Sequence, residues 1–209
     1  MKIALINGSP KFKGSASGVI LDELKGYFDG DVITECLFHA AVLPTQSQLE
    51  SFGQQDALVF AFPLYVDGIP SHLLRCLVEM EAFLKNRSSE LMVYAVVNSG
   101  FCEGKQSKNA LGMMKSWCEK THVKWGQGVG LGGGGMLAAA NIPSGHGPRK
   151  GPSLALRELA KNVTQKKSAE NIFVSPSFPR FLYKAAAQMN WRAEIKRNGL
   201  KTQELFLRK

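Results

Sequence analysis

Residues 3–17 read IALINGSPKFKGSAS, and this stretch carries the clearest fold signal in the sequence. Its first four residues are apolar, which is typical of a strand buried on both faces of a parallel sheet. The pairs Asn7-Gly8 and Ser9-Pro10 then indicate a turn. From Ser17 onward the apolar residues recur near helical spacing. The stretch therefore predicts a strand that leads through a hydroxyl-rich loop into the N-terminus of a helix.

A loop of this kind favours binding of an anion. The free backbone N–H groups at a helix N-terminus and the positive end of the helix dipole both point into it. Ser9, Ser15 and Ser17 add hydroxyl donors, while Lys11 and Lys13 add positive charge, so a phosphate monoester would fit. The loop has neither the pattern of a nucleotide-triphosphate P-loop nor the dinucleotide fingerprint. A serine-rich turn that only caps the helix is the alternative.

Composition indicates a globular protein. The chain has 209 residues, of which 44% are hydrophobic, enough for one α/β domain with a substantial core. The longest apolar runs, such as residues 91–97, are too short to span a bilayer. The first strand begins almost at the N-terminus and leaves no room for a signal peptide, so we expect a cytoplasmic protein.

The cysteine spacing and the net charge indicate which metal sites and binding partners to expect. Four widely spaced cysteines form no Cys-x-x-Cys pair, which argues against a zinc or iron–sulfur site and favours free thiols. The net charge of +9 attracts anions in general. No basic run is interleaved with aromatic residues as in a nucleic-acid module. We therefore expect a solvated basic face, a small-molecule partner, and no nucleic-acid or membrane partner.

Strands and helices alternate along the chain. Beyond the first strand, apolar runs predict strands at residues 31–37, 57–62, 91–97 and 123–131, with helical spacing between them. Such alternation predicts right-handed crossovers and a parallel sheet covered on both faces. The predicted fold is a flavodoxin-like α/β three-layer sandwich with a five-stranded parallel sheet in the order 2-1-3-4-5. We expect a single domain, residues 1–209, with a C-terminal helical extension from about residue 172 to 209.

This topology predicts where a ligand binds. In an open parallel sheet, ligands sit outside the carboxyl ends of the strands, near the point where the strand order reverses. The loops that follow the first, third and fourth strands, residues 9–17, 63–71 and 98–106, meet at that edge. They are also among the most polar stretches near the strand ends. Their convergence predicts a binding site.

The residues of the three loops resemble those of a known family. The loops contain INGSPK at 6–11 with Ser15 and Ser17, PLYVDGIPS at 63–71, and NSGF at 98–101 with Glu103 and Gln106. They resemble the flavin loops of the NAD(P)H-dependent FMN reductase family, within the flavodoxin-like superfamily. Similarity extends to GGGG at 132–135 and FPR at 178–180. Cys102 stands where we expect proline in that family.

The resemblance implies FMN as the cofactor. It places the phosphate in the first loop and the isoalloxazine ring between the other two. The implied FMN-binding residues are Ser9, Lys11, Ser15, Ala16, Ser17, Pro63, Leu64, Tyr65, Val66, Asn98, Ser99, Gly100, Phe101 and Glu103. Because flavin itself carries out the electron transfer, we expect no catalytic acid, base or nucleophile. Ordinary packing for Tyr65 and Phe101, and a bracing role for Glu103, are the alternatives.

The function implied by the resemblance is an oxidoreductase that takes hydride from NADH or NADPH. Its electron acceptor would be a quinone, a flavin, or a nitro or azo compound, and the protein would be a homodimer or homotetramer. A flavodoxin-like electron carrier that serves protein partners is the alternative, although such carriers tend to be acidic. A flavin-free regulatory or nucleic-acid-binding module is a third hypothesis.

The glycine-rich stretch at residues 132–152 is predicted to lack regular structure. It follows the fifth strand, at the edge where the flavin is expected, and it carries His146, Arg149 and Lys150. We expect it to border the flavin, with Arg149 and Lys150 attracting the phosphates of the pyridine nucleotide. A disordered connector with solvated charges is the alternative.

Overall fold

A computed structural model describes residues 1–39, 43–85, 90–137, 142–177 and 179–206. Within these ranges the chain forms a six-stranded sheet in the order β2-β1-β3-β4-β5-β6, and every neighbouring pair is parallel. The strands are β1 Lys2–Asn7, β2 Val32–Leu37, β3 Ala57–Pro63, β4 Met92–Asn98, β5 Lys124–Leu131 and β6 Ile172–Val174. The predicted α/β fold with a parallel sheet is confirmed.

The predicted number of strands is wrong. The sequence predicts five strands, whereas a sixth, β6, lies at the edge where the C-terminal extension was expected to begin. It contains only three residues, and these pair with Val129–Leu131 at the end of β5. Three residues are too few for a periodic pattern. The order of the first five strands is as predicted.

Helices cover both faces of the sheet. The central strands β1, β3 and β4 are buried almost completely, because they pack against apolar side chains from both sides. Leu73, Leu77 and Leu111 belong to the core on one face, and Ile20 and Leu159 belong to the core on the other. The helices are α1 Ala16–Lys25, α2 Gln46–Gly53, α3 Ser71–Leu84, α4 Lys108–Thr121, α5 Gly134–Leu137, α6 Lys150–Thr164 and α7 Arg180–Arg197.

A close backbone crossing lies at the end of β5 and β6. The 3-10 turn Gly104–Ser107 passes so close to these strands that a Cβ atom on Gly104 would lie 2.3 Å from the Val174 carbonyl oxygen. It would lie 2.4 Å from the carbonyl oxygen of Gly130. Only glycine fits at this crossing, which holds the loop after β4 against the sheet.

The chain divides into two compact units, Met1–Pro176 and Ser177–Lys209. The first contains the whole sheet. The second contains α7 and a 3-10 turn at Thr202–Phe206; Phe178 of the predicted FPR motif lies outside the described residues. Beyond the end of α7, Gly199 has a φ of +73°, and the Leu200 N–H donates to the Ile195 carbonyl at 3.1 Å. Among the residues that the structure describes, no helix is long and apolar enough to cross a membrane.

Candidate functional site

The carboxyl ends of β1, β3 and β4 open into one cavity of about 250 Å³. Three loops and the start of α5 form its walls, as the topology predicts. The lining residues are Ser9, Lys11, Gly14, Ser15, Ala16, Ser17, Pro63, Leu64, Tyr65, Asn98, Ser99, Gly100, Gly134 and Gly135. Most of the predicted site residues thus come together around a single space, and their binding of a ligand stays a prediction.

Three of the predicted residues do not line the cavity. Val66 projects fully into solvent and Phe101 is half exposed. Glu103 precedes the 3-10 turn, where its carbonyl accepts a hydrogen bond from the Gln106 N–H at 3.3 Å. Gly14, Gly134 and Gly135 also line the cavity. They were not among the predicted cofactor-binding residues, although the stretches that contain them, residues 9–17 and 132–152, were expected to border the site.

Asn7 holds the two ends of the first loop together. Its side-chain oxygen accepts from the Ser9 N–H at 3.0 Å, and its amide donates to the Ser15 hydroxyl at 3.3 Å. Ser15 is also the N-cap of α1, since its hydroxyl accepts from the Gly18 N–H at 3.0 Å. The sequence pattern predicts only a turn at Asn7, whereas in the structure the Asn7 side chain shapes the loop.

The serine hydroxyls of this loop keep their protons available. The hydroxyl of Ser9 accepts from the Lys11 N–H at 3.2 Å, and that of Ser17 accepts from the Asn98 amide at 2.9 Å. Ser15 already accepts in the same way. Because a hydroxyl has one proton and can accept as well, each can still donate that proton to a ligand. All three serines are buried, so these donors are preorganised within the fold.

Backbone groups add to the same set of donors. The N–H groups of Ala16 and Ser17 lie in the first turn of α1, where no intrahelical acceptor exists, and the described part of the chain offers them none. Lys11 lines the cavity and contributes a positive charge. Hydroxyls, N–H groups, a helix N-terminus and an ammonium group together suit a phosphate monoester.

Asn98 connects the first loop to the neighbouring strands. Its side-chain amide donates to the Ser17 hydroxyl and, at 3.1 Å, to the Phe62 carbonyl at the end of β3. It is buried, so one side chain joins α1, β3 and β4 at the cavity. His72, which sequence reasoning missed, makes a similar link, because its Nε2 lies 3.1 Å from the Gly8 carbonyl oxygen.

The second loop forms a strained two-residue turn. Tyr65 and Gly68 exchange backbone hydrogen bonds of 3.2 and 3.0 Å, and between them Val66 and Asp67 have φ angles of 47° and 58°. Positive φ at both central residues is the type I′ geometry. A valine in this region is unfavourable, and such strain clusters at binding sites. The turn leaves the Tyr65 ring half exposed at the cavity wall.

The glycine-rich stretch is more regular than predicted. The N–H groups of Gly133 and Gly134 donate to the carbonyls of Phe101 and Ser99, both at 2.7 Å, and the short helix α5 begins at Gly134. Residues 138–141 lie outside the described residues. Helix α6 begins at Lys150, within the stretch predicted to be irregular. Glycines and prolines at 132–152 are turn signals, so the sequence pattern does not indicate that α5 and α6 begin there.

Arg149 forms a buried ion pair with Glu23 of α1. The guanidinium Nη2 lies 2.6 Å from the Glu23 carboxylate, and the two side chains are only 11% and 8% exposed. The second terminal nitrogen, Nη1, donates to the Ile142 carbonyl at 2.8 Å. These contacts oppose the predicted role of Arg149 as a ligand of nucleotide phosphates. Lys150 is exposed, and its role there stays a prediction.

The Glu23 carboxylate is stabilised in its charged form. Burial by itself raises the pKa of Glu23, but hydrogen bonds from Ser144, Ser153, Arg149 and Tyr27 together lower the pKa below its ordinary value. The Tyr27 hydroxyl donates at 3.0 Å. At neutral pH the Glu23 carboxylate is therefore charged, and its ion pair with Arg149 fastens residues 142–149 to α1.

Three of the four cysteines offer little reactivity. Burial raises the pKa of Cys36 and of Cys76 to about 11, so both thiols stay protonated at neutral pH and are poor nucleophiles. Burial also raises the pKa of Cys118. Within the described ranges, no group of three or more histidine, cysteine or acidic side chains could hold a metal ion.

Comparison with known proteins rests on solved structures, because no family model and no curated protein match the sequence. A protein from P. pentosaceus titled NADPH-quinone reductase superposes with a TM-score of 0.55, over 77% of this chain and 98% of its own, at 12% identity. The flavodoxin of Streptococcus pneumoniae TIGR4 superposes with a TM-score of 0.52, over 79% of this chain and 99% of its own, at 13% identity. The Trp repressor binding protein of Bacillus subtilis superposes with a TM-score of 0.51, over 61% of this chain and 84% of its own, at 19% identity. At these identities the likeness shows the fold, which is flavodoxin-like.

Proposed function

We propose that this chain, which has the flavodoxin-like fold, is an FMN-dependent oxidoreductase of the NAD(P)H-dependent FMN reductase type. It would take hydride from NADH or NADPH and reduce a small molecule such as a quinone, a flavin, or a nitro or azo compound. The observation that carries the proposal is the single cavity in which the phosphate donors of α1 lie beside the loops after β3 and β4.

The donor set of the first loop fits FMN better than a larger dinucleotide. Ser9, Ser15 and Ser17 would hold the phosphate through their hydroxyl protons, with the first-turn N–H groups of α1 and the ammonium of Lys11 beside them. These groups suit a terminal phosphate that ends in a cradle of donors. The loops with Pro63, Leu64 and Tyr65, and with Asn98, Ser99 and Gly100, would border the ring.

The chemistry of the lining favours a cofactor-based reaction. Of the described residues that line the cavity, only Lys11 and Tyr65 carry titratable side chains. No carboxylate, histidine or thiol among them could act as a general base or nucleophile. FMN, when bound, would supply the transfer of electrons between the nicotinamide and the acceptor. The chain would position the flavin, limit its contact with water and leave one side open near the half-exposed Tyr65.

An electron carrier is the second candidate, and the superposition with the flavodoxin of Streptococcus pneumoniae favours it. Turnover separates the two functions. The purified chain, loaded with FMN, is mixed with NADH or NADPH and a soluble benzoquinone, and oxidation of the nicotinamide is followed by absorbance. A reductase turns over many times without another protein and stops when FMN is removed. A carrier gives turnover only after a separate reductase is added.

Tyr65→Ala is expected to lower FMN affinity by about two- to twelvefold, because stacking on an aromatic ring contributes about 0.5–1.5 kcal/mol beyond the buried area. Fluorescence titration with FMN measures the change. Tyr65→Phe is the matched control, since it keeps the ring and should retain the affinity. Equal binding by the alanine variant would show that this ring does not contact the flavin.

A further inference from the structure

The positive charge of the chain is concentrated at its C-terminus. Residues 177–209 contain eight lysines and arginines against two acidic residues, a net charge of +6 out of the +9 carried by the whole chain. Such asymmetry is typical of a segment that meets a polyanion or an anionic surface.

Helix α7 also exposes large apolar side chains. No residue of the helix is buried, and Phe181 and Met189 are each 71% exposed. Leu182 and Trp191 are exposed as well. Isolated apolar side chains on a surface are common, but four exposed ones within eleven residues of one helix indicate a binding surface.

One face of α7 combines both features. Phe181, Leu182, Ala185 and Met189 follow a spacing of one, four and eight residues, which places them on the same side of a helix. Arg192 and Lys196 continue that side toward the C-terminal end. All six residues are exposed, whereas Ala187 and Ile195 on another side are partly covered. This face therefore runs from apolar residues at one end to cations at the other.

We propose that this face of α7 binds the surface of an anionic lipid bilayer. The apolar residues of this face would enter the boundary between headgroups and acyl chains. Arg192 and Lys196 would reach the lipid phosphates while their aliphatic stems stay against lipid. This proposal departs from the expectation, drawn from the sequence alone, of a solvated basic face and no membrane partner, because the exposure of the apolar residues is evident only in the structure.

Nucleic acid and a second copy of this helix are the two other candidate partners, and both fit the helix less well. Nucleic acid would neutralise the cations through its phosphates, but Leu182 and Met189 would gain little from that contact. A second copy of α7 would bring two segments of net charge +6 together. A lipid surface covers the apolar residues and neutralises the charge at the same time.

The test is co-sedimentation of the full chain with vesicles. One set contains phosphatidylcholine alone, and the other contains phosphatidylcholine mixed with phosphatidylglycerol. We expect binding to the mixed vesicles only, weakening as salt is added, because the attraction to anionic headgroups is screened. Binding that is equal for the two compositions, or absent from both, overturns the proposal.

Two variants localise the binding. Arg192→Glu with Lys196→Glu should lower the affinity for the mixed vesicles at least about tenfold, since each cation near an anionic surface contributes about a factor of five. Lys115→Glu with Lys161→Glu, at exposed positions on α4 and α6, changes the net charge equally and should retain binding. An equal loss from both pairs overturns the assignment to α7.

A second pair of substitutions tests the apolar part of the face. Phe181→Ser with Met189→Ser should weaken vesicle binding at unchanged net charge, and an unchanged affinity overturns the proposal. Because neither side chain is buried, the thermal unfolding of this variant should match that of the parent. Binding of duplex DNA and dimerisation of the protein are measured alongside vesicle binding. If the Arg192/Lys196 variant loses DNA binding or dimerisation instead of vesicle binding, another partner replaces lipid.

Discussion

Replacing Ser9 and Ser17 together by alanine should lower the affinity for FMN by at least about a hundredfold. Each substitution removes a hydroxyl donor to a charged group, and such a hydrogen bond contributes about 1.5–3 kcal/mol. Both serines are buried at the cavity, and their hydroxyls already accept from the Lys11 N–H and the Asn98 amide. Their protons are thus directed away from those partners. Quenching of flavin fluorescence during titration gives the dissociation constants.

Riboflavin provides the control for this variant, because it has the same ring without the phosphate. Its affinity should be similar for the parent and the double variant. Ser116→Ala, at an exposed position on α4, should change neither affinity. If the double variant loses FMN and riboflavin equally, the loop has collapsed and the hydroxyls are not phosphate ligands. An unchanged FMN affinity would place the phosphate elsewhere.

Arg149→Ala should lower the free energy of unfolding by about 3–5 kcal/mol, because removing one partner of a buried ion pair leaves an uncompensated buried charge. The remaining charge is the Glu23 carboxylate, which is only 8% exposed. The substitution also removes the donor to the Ile142 carbonyl. Urea unfolding followed by circular dichroism measures the change.

Lys25→Ala is the matched control, since its ion pair with Glu35 is exposed on both sides. Such a surface pair is screened by solvent and contributes little to stability. Replacing both partners, as in Glu23→Leu with Arg149→Met, should recover much of the loss, because no unpaired charge remains. If Arg149→Ala lowers the free energy of unfolding no more than Lys25→Ala does, the Glu23–Arg149 pair is screened by solvent and does not fasten residues 142–149 to α1.

The stability difference between the parent and Arg149→Ala should depend on pH. The pKa of Glu23 is lowered in the folded protein, so the pair stabilises the fold fully above the ordinary carboxyl pKa. This contribution disappears as the pH falls through the lowered value, because the carboxyl is then protonated. Unfolding measured at neutral and at acidic pH should show the difference shrinking in acid.

The sheet could be predicted from sequence where strands are long and buried. The run at residues 57–62 is apolar throughout, and it forms the fully buried part of β3. β6 could not be predicted in this way, since its three residues are strand only because they pair with the end of β5. Its strand conformation depends on tertiary pairing, which the spacing of apolar residues in the sequence does not indicate.

The candidate site shows the same division. Polar loops at strand ends could be placed at one edge by topology alone, so Ser17 and Asn98 were expected to meet, although their hydrogen bond was not. Gly134 reaches the cavity because its N–H is bonded to the Ser99 carbonyl, which no side-chain pattern reports. Arg149 was assigned to a nucleotide because it belongs to a basic cluster in the stretch that was expected to border the flavin. Its partner, Glu23, lies 126 residues away.

Titration of the purified chain with FMN, followed in parallel with riboflavin, is the direct test of FMN binding in this cavity. We expect one FMN per chain, the visible absorbance of a bound oxidised flavin, and markedly weaker binding of riboflavin, because the donors of Ser9, Ser15 and Ser17 would hold the phosphate. A chain that binds neither flavin, or binds both with equal affinity, would contradict the assignment of this cavity to FMN.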